Sequence, residues 1–278
     1  MPSRRRLVAA GLTLAAAATA TRTARAMPAA SSGPADRKTF VLVHGTWLGG
    51  WIWAEVAERL RALGHRVFTP TLTGCGERHH LIGPDVGLET HIRDITGVID
   101  WEGLDRVILV AHSFSGMAAT GAADRRRERI RRIVFFDALI PAPGRMSAVG
   151  RNPDGSLPDW WRKRAEGFGE GYRMDFWASY PVDMLVPPER TDLVALLRAR
   201  ITPHPARAWT DELVLANGGW EGLPRTCIRA MAQRYSPSSE RMWGPARGPG
   251  WEMIELPVTR MGMLTEPEEV SACFARLA

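Results

Sequence analysis

Three observations predict an α/β architecture: a doubly wound, mostly parallel sheet with an inserted lid. From Thr39 onward, short β-rich runs alternate with longer segments of helical period. The β-rich runs are apolar at successive positions, as in strands covered on both faces. The alternation stops at Pro141 and resumes after about Asn217.

Phe40-Val41-Leu42-Val43 is a continuous apolar run ending at His44-Gly45 and reads as the first strand. Ile52, Val56, Leu60 and Leu63 follow at helical spacing, and Gly64 stops that helix. Arg66 to Thr69 is a second strand, ended by Pro70. Beyond a glycine-rich loop, Leu88, Ile92, Ile95 and Ile99 mark the next helix. Val107 to Val110 is a third strand, Phe114 to Ala123 a helix and Ile133 to Phe136 a fourth strand. The stretch that follows holds Trp160, Trp161, Trp177 and Trp209 with many prolines and no clear buried strand, as a lid would. Strands at Arg225–Ala230 and Glu252–Leu256 and a closing helix from Pro267 complete the pattern. The expected division is an export signal at 1–26, a linker at 27–38, a core at 39–140 and 218–278, and a lid at 141–217.

The 278 residues are 45% hydrophobic and 24% charged, which suits one domain with a sizeable core and excludes a disordered or collagen-like chain. The formal net charge of +6 suggests an acidic partner until it is located. Residues 1–26 hold Arg4, Arg5, Arg6, Arg22 and Arg25 and no acid. Taking those five from the 36 basic residues leaves 31 against 30 acidic, a net of +1. No footprint for a phosphate backbone survives, so no nucleic-acid partner is expected. The cluster Arg125-Arg126-Arg127 with Arg129, Arg131 and Arg132 reads as a solvated helix end and a turn before a strand.

The basic start, the uncharged stretch Leu7 to Thr21 and Ala24-Arg25-Ala26 read as an export signal cleaved near Ala26. The uncharged stretch is too short for a stable membrane anchor. Ser3-Arg4-Arg5-Arg6-Leu7-Val8 is similar to a twin-arginine signal, which points to a periplasmic or secreted protein. Cys75, Cys227 and Cys273 form no disulfide framework and have no zinc spacing, so buried free thiols are expected. No phosphate-binding glycine loop and no metal-ligand cluster is visible, and no cofactor is expected. The partner is then a small-molecule substrate or ligand.

The chemistry concentrates at Ala111-His112-Ser113-Phe114-Ser115. A buried strand runs into a sharp turn on a serine and then into a helix, close to the nucleophile elbow G-x-S-x-G. Ala111 and Ser115 replace the glycines, so the steric requirement nearly holds while the motif does not. Such a turn presents the Ser113 hydroxyl at the carboxyl end of the sheet. The Phe114 N–H would face a developing oxyanion, with the Thr46 N–H, from the loop after the first strand, as second donor.

The segments FVLVHGTWLGGWIW, FTPTLTGCGERHHL, VILVAHSFSGMAA and FFDALIP resemble the α/β-hydrolase superfamily, in the branch of plant methylesterases, hydroxynitrile lyases and related bacterial esterases. The resemblance runs from Thr39 to the C-terminus. It implies an ester-hydrolysing Ser-His-acid triad, with Ser113 as nucleophile and Thr46 and Phe114 as oxyanion donors.

The triad does not carry over whole. Where the resemblance implies a histidine after the last strand, this chain reads Leu256-Pro257-Val258-Thr259-Arg260-Met261-Gly262-Met263, so Arg260 occupies that place. There is no histidine after His204. The acid implied after the penultimate strand is also missing from Met231-Ala232-Gln233-Arg234-Tyr235. Asp137, ending the fourth strand, is the candidate substitute, with a turn-capping role as the alternative. Arginine cannot take the serine proton. Arg260 could instead hold an anionic substrate, stabilise an enolate or oxyanion, or form a loop salt bridge. His44 and His112 fall in structural turns. His80 and His204 are candidates for a replacement base, and with Trp47 they are expected in the pocket. Three functions follow: a serine-type hydrolase of a small carboxylic ester with an incomplete triad, a same-fold lyase or cyclase, or a catalytically silent protein that binds an apolar ligand.

Overall fold

A computed structural model describes residues 37–142, 145–178, 180–232 and 241–277. The expected export signal and all but the last two residues of the linker lie outside the described residues, as do Gln233, Arg234 and Tyr235.

Six strands build the main sheet: β1 (Thr39–Val43), β2 (Arg66–Phe68), β3 (Val107–His112), β4 (Ile130–Phe136), β5 (Arg225–Ala230) and β6 (Glu252–Leu256). Their order is β6-β5-β4-β3-β1-β2, and every neighbouring pair is parallel. Parallel neighbours need crossover segments, and helices supply them. These are α1 (Ala54–Ala62), α2 (Leu88–Trp101) and α3 (Gly116–Arg125), with α4 (Asp159–Ala165) and α5 (Thr191–Arg200) between β4 and β5 and α6 (Pro267–Arg276) closing the chain.

Burial on both faces explains the unbroken apolar runs. Phe40, Leu42, Ile108 and Val110 pack with Val56 and Leu60 of α1 and Phe274 of α6. Their sequence neighbours Val41, Val43, Leu109 and Ala111 pack on the other face with Ile92 and Ile95 of α2 and Met117 of α3. All eight strand residues are wholly buried.

The structure corrects three boundaries. β3 continues past Val110 to His112, and the expected helix opens as a 3₁₀ turn, Ser113–Ser115, before α3. β4 starts three residues before Ile133, so Arg131 and Arg132 belong to a strand and not to a turn. A strand accepts them because they lie half-buried near the sheet's end, where Arg132 donates to Thr226 Oγ1 at 2.7 Å and pairs with Glu252 of β6. The neighbouring arginines also have partners within the fold: Arg125 with Glu89 and Arg126 with Asp100.

Among the described residues, the chain between β4 and β5 adds no strand to the main sheet. It forms two short antiparallel pairs, Arg145–Met146 with Leu213–Val214 and Arg173–Met174 with His204–Pro205. No helix among the described residues is long and apolar enough to cross a membrane. The three cysteines are free and buried. Burial raises the Cys227 and Cys273 thiols to about 12 and about 11.

Candidate active site

After β2 the chain crosses to the other side of β1 to form β3, so the winding reverses between these two strands. Ligands of open α/β sheets bind outside the carboxyl ends of the strands at such a point. The sequence places His44-Gly45-Thr46 just after β1 and Ser113 just after β3, and the turn between strand and helix is strained. Ser113 has φ 58°, in the left-handed region that non-glycine residues rarely occupy. Trp47 (φ 67°) and Asp137 (φ 45°) share that conformation at the ends of the neighbouring loops.

Short contacts hold the elbow. The Ser113 carbonyl accepts the Leu139 N–H at 2.8 Å, tying the turn to the loop after β4. Ser115 does more than fit where a glycine is usual. Its hydroxyl accepts the His112 N–H at 2.9 Å and lies 3.2 Å from the Val43 carbonyl, which bridges β3 to β1. Gly45 passes so near that a Cβ there would lie 2.8 Å from Ser113 Cβ and 2.9 Å from His112 Nδ1. His44 fixes the same loop through Gly45 O at 2.8 Å and the Leu72 N–H at 3.0 Å. Burial lowers its pKa to about 4, leaving a neutral ring.

Arg260 lies between Ser113 and Asp137. One guanidinium nitrogen donates to Ser113 Oγ, and the other pairs with the Asp137 carboxylate and reaches the Asp137 carbonyl at 3.2 Å. Asp137 is wholly buried and the Arg260 side chain partly so, which makes this a half-buried ion pair just after β4. His112 secures the arginine from β3: its Nε2 donates to the Arg260 carbonyl at 3.2 Å. Burial first, and then the charge of Arg260, hold the His112 imidazole well below its ordinary 6.5. Its Nδ1 is buried without a hydrogen-bond partner.

These residues border a cavity of about 210 Å³. A cavity of about 150 Å³ is enough for benzene, so a small aromatic molecule fits the space. Thr46, Trp47, Ser113 and Arg260 all line it. Phe114 follows Ser113 in the one-turn helix, where the first amides have no intrahelical acceptor. Its ring turns inward and stacks on Trp209 at 5.1 Å.

His80 and His204 do not join the site. His80 is exposed in the loop after β2, and neither histidine lines the cavity. His204 is wholly buried behind Phe114, with Nδ1 3.3 Å from Cys75 Sγ and its ring 5.3 Å from that of Phe114. The chain brought it close to the site, but its ring packs into the core. Conversely, His112, which the sequence places in a structural turn, lines the cavity. The sequence signal for it was its place directly before the nucleophile candidate. Phe176, Tyr180 and Ile201, which complete the apolar wall from the stretch between β4 and β5, had no local signal.

The alpha/beta hydrolase family model matches residues 40–272. The chain belongs to that family. It is 38% identical to a carbendazim hydrolyzing esterase from Nocardioides sp. (strain SG-4G) over 86% of this chain and 98% of the relative. It is 26% identical to methylesterase 1 of Arabidopsis thaliana over 87% of this chain and 96% of the relative. Among solved structures, it is similar to an extracellular alpha/beta-hydrolase from a Paenibacillus species, at TM-score 0.72 and 24% identity over 86% of this chain and 98% of that one. The strained turn at Ser113 and the loop after β1 both lie within the matched span.

Proposed function

We propose that this chain is a serine-type hydrolase of small carboxylic esters in which Ser113 is the nucleophile. The observation that carries this reading is the Ser113 hydroxyl at a left-handed turn, beside a guanidinium and at the border of an apolar cavity. Relatives named as esterases support it. In this reading the Thr46 and Phe114 amides receive the carbonyl oxygen as it gains charge, and Arg260 stabilises negative charge on Oγ. Arg260 stands where the resemblance implies histidine, with Asp137 behind it, so the set is Ser-Arg-Asp and the group that touches Ser113 Oγ cannot accept its proton.

The guanidinium on Ser113 Oγ also favours a second reading, a lyase or cyclase step that needs anion stabilisation and no serine-derived base. Both readings are tested with a fluorophosphonate probe and a panel of short aryl esters, to which carbendazim is added because of the Nocardioides relative. Labelling and ester turnover that disappear in Ser113→Ala support the hydrolase. Equal turnover by wild type and Ser113→Ala sinks it.

The basic start and the Ala24-Arg25-Ala26 site support export by the twin-arginine route. Replacing Arg4, Arg5 and Arg6 by lysine is expected to leave the precursor in the cytoplasm. Fractionation of the expressing cells reads the result.

A further inference from the structure

Among the described residues, the only side chain hydrogen-bonded to the Ser113 hydroxyl is Arg260, which cannot carry its proton. All seven histidines of the sequence are among the described residues, and only His112 borders the cavity. Arg260, from the loop after β6, touches Ser113 Oγ, and the other polar side chains that line the cavity are Thr46 from the loop after β1, His112 from β3 and Tyr180 from the stretch between β4 and β5. Asp137 stands behind Arg260, engaged with the guanidinium, and does not line the cavity. A guanidinium offers only donors. His112 gives its Nε2 proton to the Arg260 carbonyl, and its buried position keeps the ring a poor proton acceptor.

We propose that Ser113 is an acyl acceptor that retains its acyl group: an activated ester acylates it, and the acyl-enzyme breaks down only by attack of hydroxide. The proposal rests on Ser113 being the nucleophile, as argued above. In the first step the bond from Oγ to the acyl carbon forms and the bond to the leaving aryloxide breaks. The serine proton leaves with the aryloxide as the phenol. Arg260 and the two amides stabilise the charge at Oγ and at the carbonyl oxygen, so a good leaving group makes this step feasible without a base. In the second step a neutral water would need a group to take its proton, and no histidine other than the buried His112 lines the cavity among the described residues. Hydroxide attacks instead, the bond from the acyl carbon to Oγ breaks, and the products are a carboxylate and the restored serine hydroxyl. Good acyl donors therefore load the site faster than it empties. The substrate class is the activated ester: aryl esters and esters of similarly acidic alcohols.

The test mixes the folded wild-type chain with p-nitrophenyl acetate and follows nitrophenolate release, intact mass and peptide mapping. The expected result is a burst of one equivalent, one acetyl group on Ser113, and slow decay. The decay is expected to quicken about tenfold per pH unit from about pH 7 to about pH 9, without levelling off. In Arg260→His, the decay of the adduct is expected to quicken by at least about tenfold and to acquire a plateau as the new imidazole deprotonates. If that variant does not fold, the wild-type pH profile decides alone. Linear release beyond one equivalent without an adduct overturns the proposal, as does a decay that levels off near neutrality, while Ser113 remains the nucleophile. No release and no adduct from folded protein overturns the nucleophile assignment itself.

Discussion

Ser115 shows how one atom changes the meaning of a motif. Its hydroxyl takes up the His112 N–H, and both residues are buried. Ser115→Gly restores the motif's letter but removes that acceptor, and leaving a buried amide without one costs about 1–3 kcal/mol. The expected outcome is a lower melting temperature, with Ser115→Ala behaving similarly; a melting temperature equal to wild type in both would refute the bridging role. Gly45 is constrained from the other side. A Cβ there cannot coexist with Ser113 Cβ and His112 Nδ1 where they now lie, so Gly45→Ala is expected to displace the elbow and remove fluorophosphonate labelling. At this scale the residues were legible and their partners were not. That Arg260 replaces a histidine is visible in the sequence. That its guanidinium spans from Ser113 to a carboxylate on β4 depends on three strand ends meeting, which no local spacing encodes.

Elements position the site through packing that spans the chain. Phe114 of the elbow, Trp209 and Trp161 of α4 form a stack with ring separations of 5.1 and 6.0 Å. Stacked aromatic pairs contribute about 0.5–1.5 kcal/mol each beyond their burial, so Trp209→Leu, which removes both contacts, is expected to lower stability by about 2 kcal/mol in a denaturant titration. It should also weaken ester turnover, since Trp209 borders the cavity. Helix α3 approaches the loop after β4 so closely that a Cβ on Gly116 would lie 1.9 Å from the Leu139 carbonyl oxygen. The strands were readable because burial on both faces leaves a continuous apolar run. The short strand pairs between β4 and β5 were not, because two residues carry no period.

Across the whole molecule, four buried histidines make stability depend on pH. His44 is lowered to about 4 by burial, and His91, His112 and His204 are lowered by the same cause. Each is neutral in the folded chain and titrates near its ordinary 6.5 when unfolded. The unfolded state therefore binds more protons below about pH 6.5, and stability falls as pH drops from there toward about 4. His44 alone accounts for about 3 kcal/mol across that window. Melting temperatures measured from pH 8 to pH 4 should show the decline beginning near 6.5, and His44→Gln should flatten it if the variant folds. The sequence by itself determined the alternating α/β order, the double-sided core and the serine turn, because these follow from periodicity and from the size of adjacent residues. Only the tertiary structure decided which groups face Ser113. It turned His204 into the core, left His80 in solvent, put His112 at the cavity and set Arg260 between the serine and Asp137. The physical reason is that a site at the carboxyl ends of strands gathers residues far apart in the chain, and the packing of the strands, not their spacing, sets the distances between them.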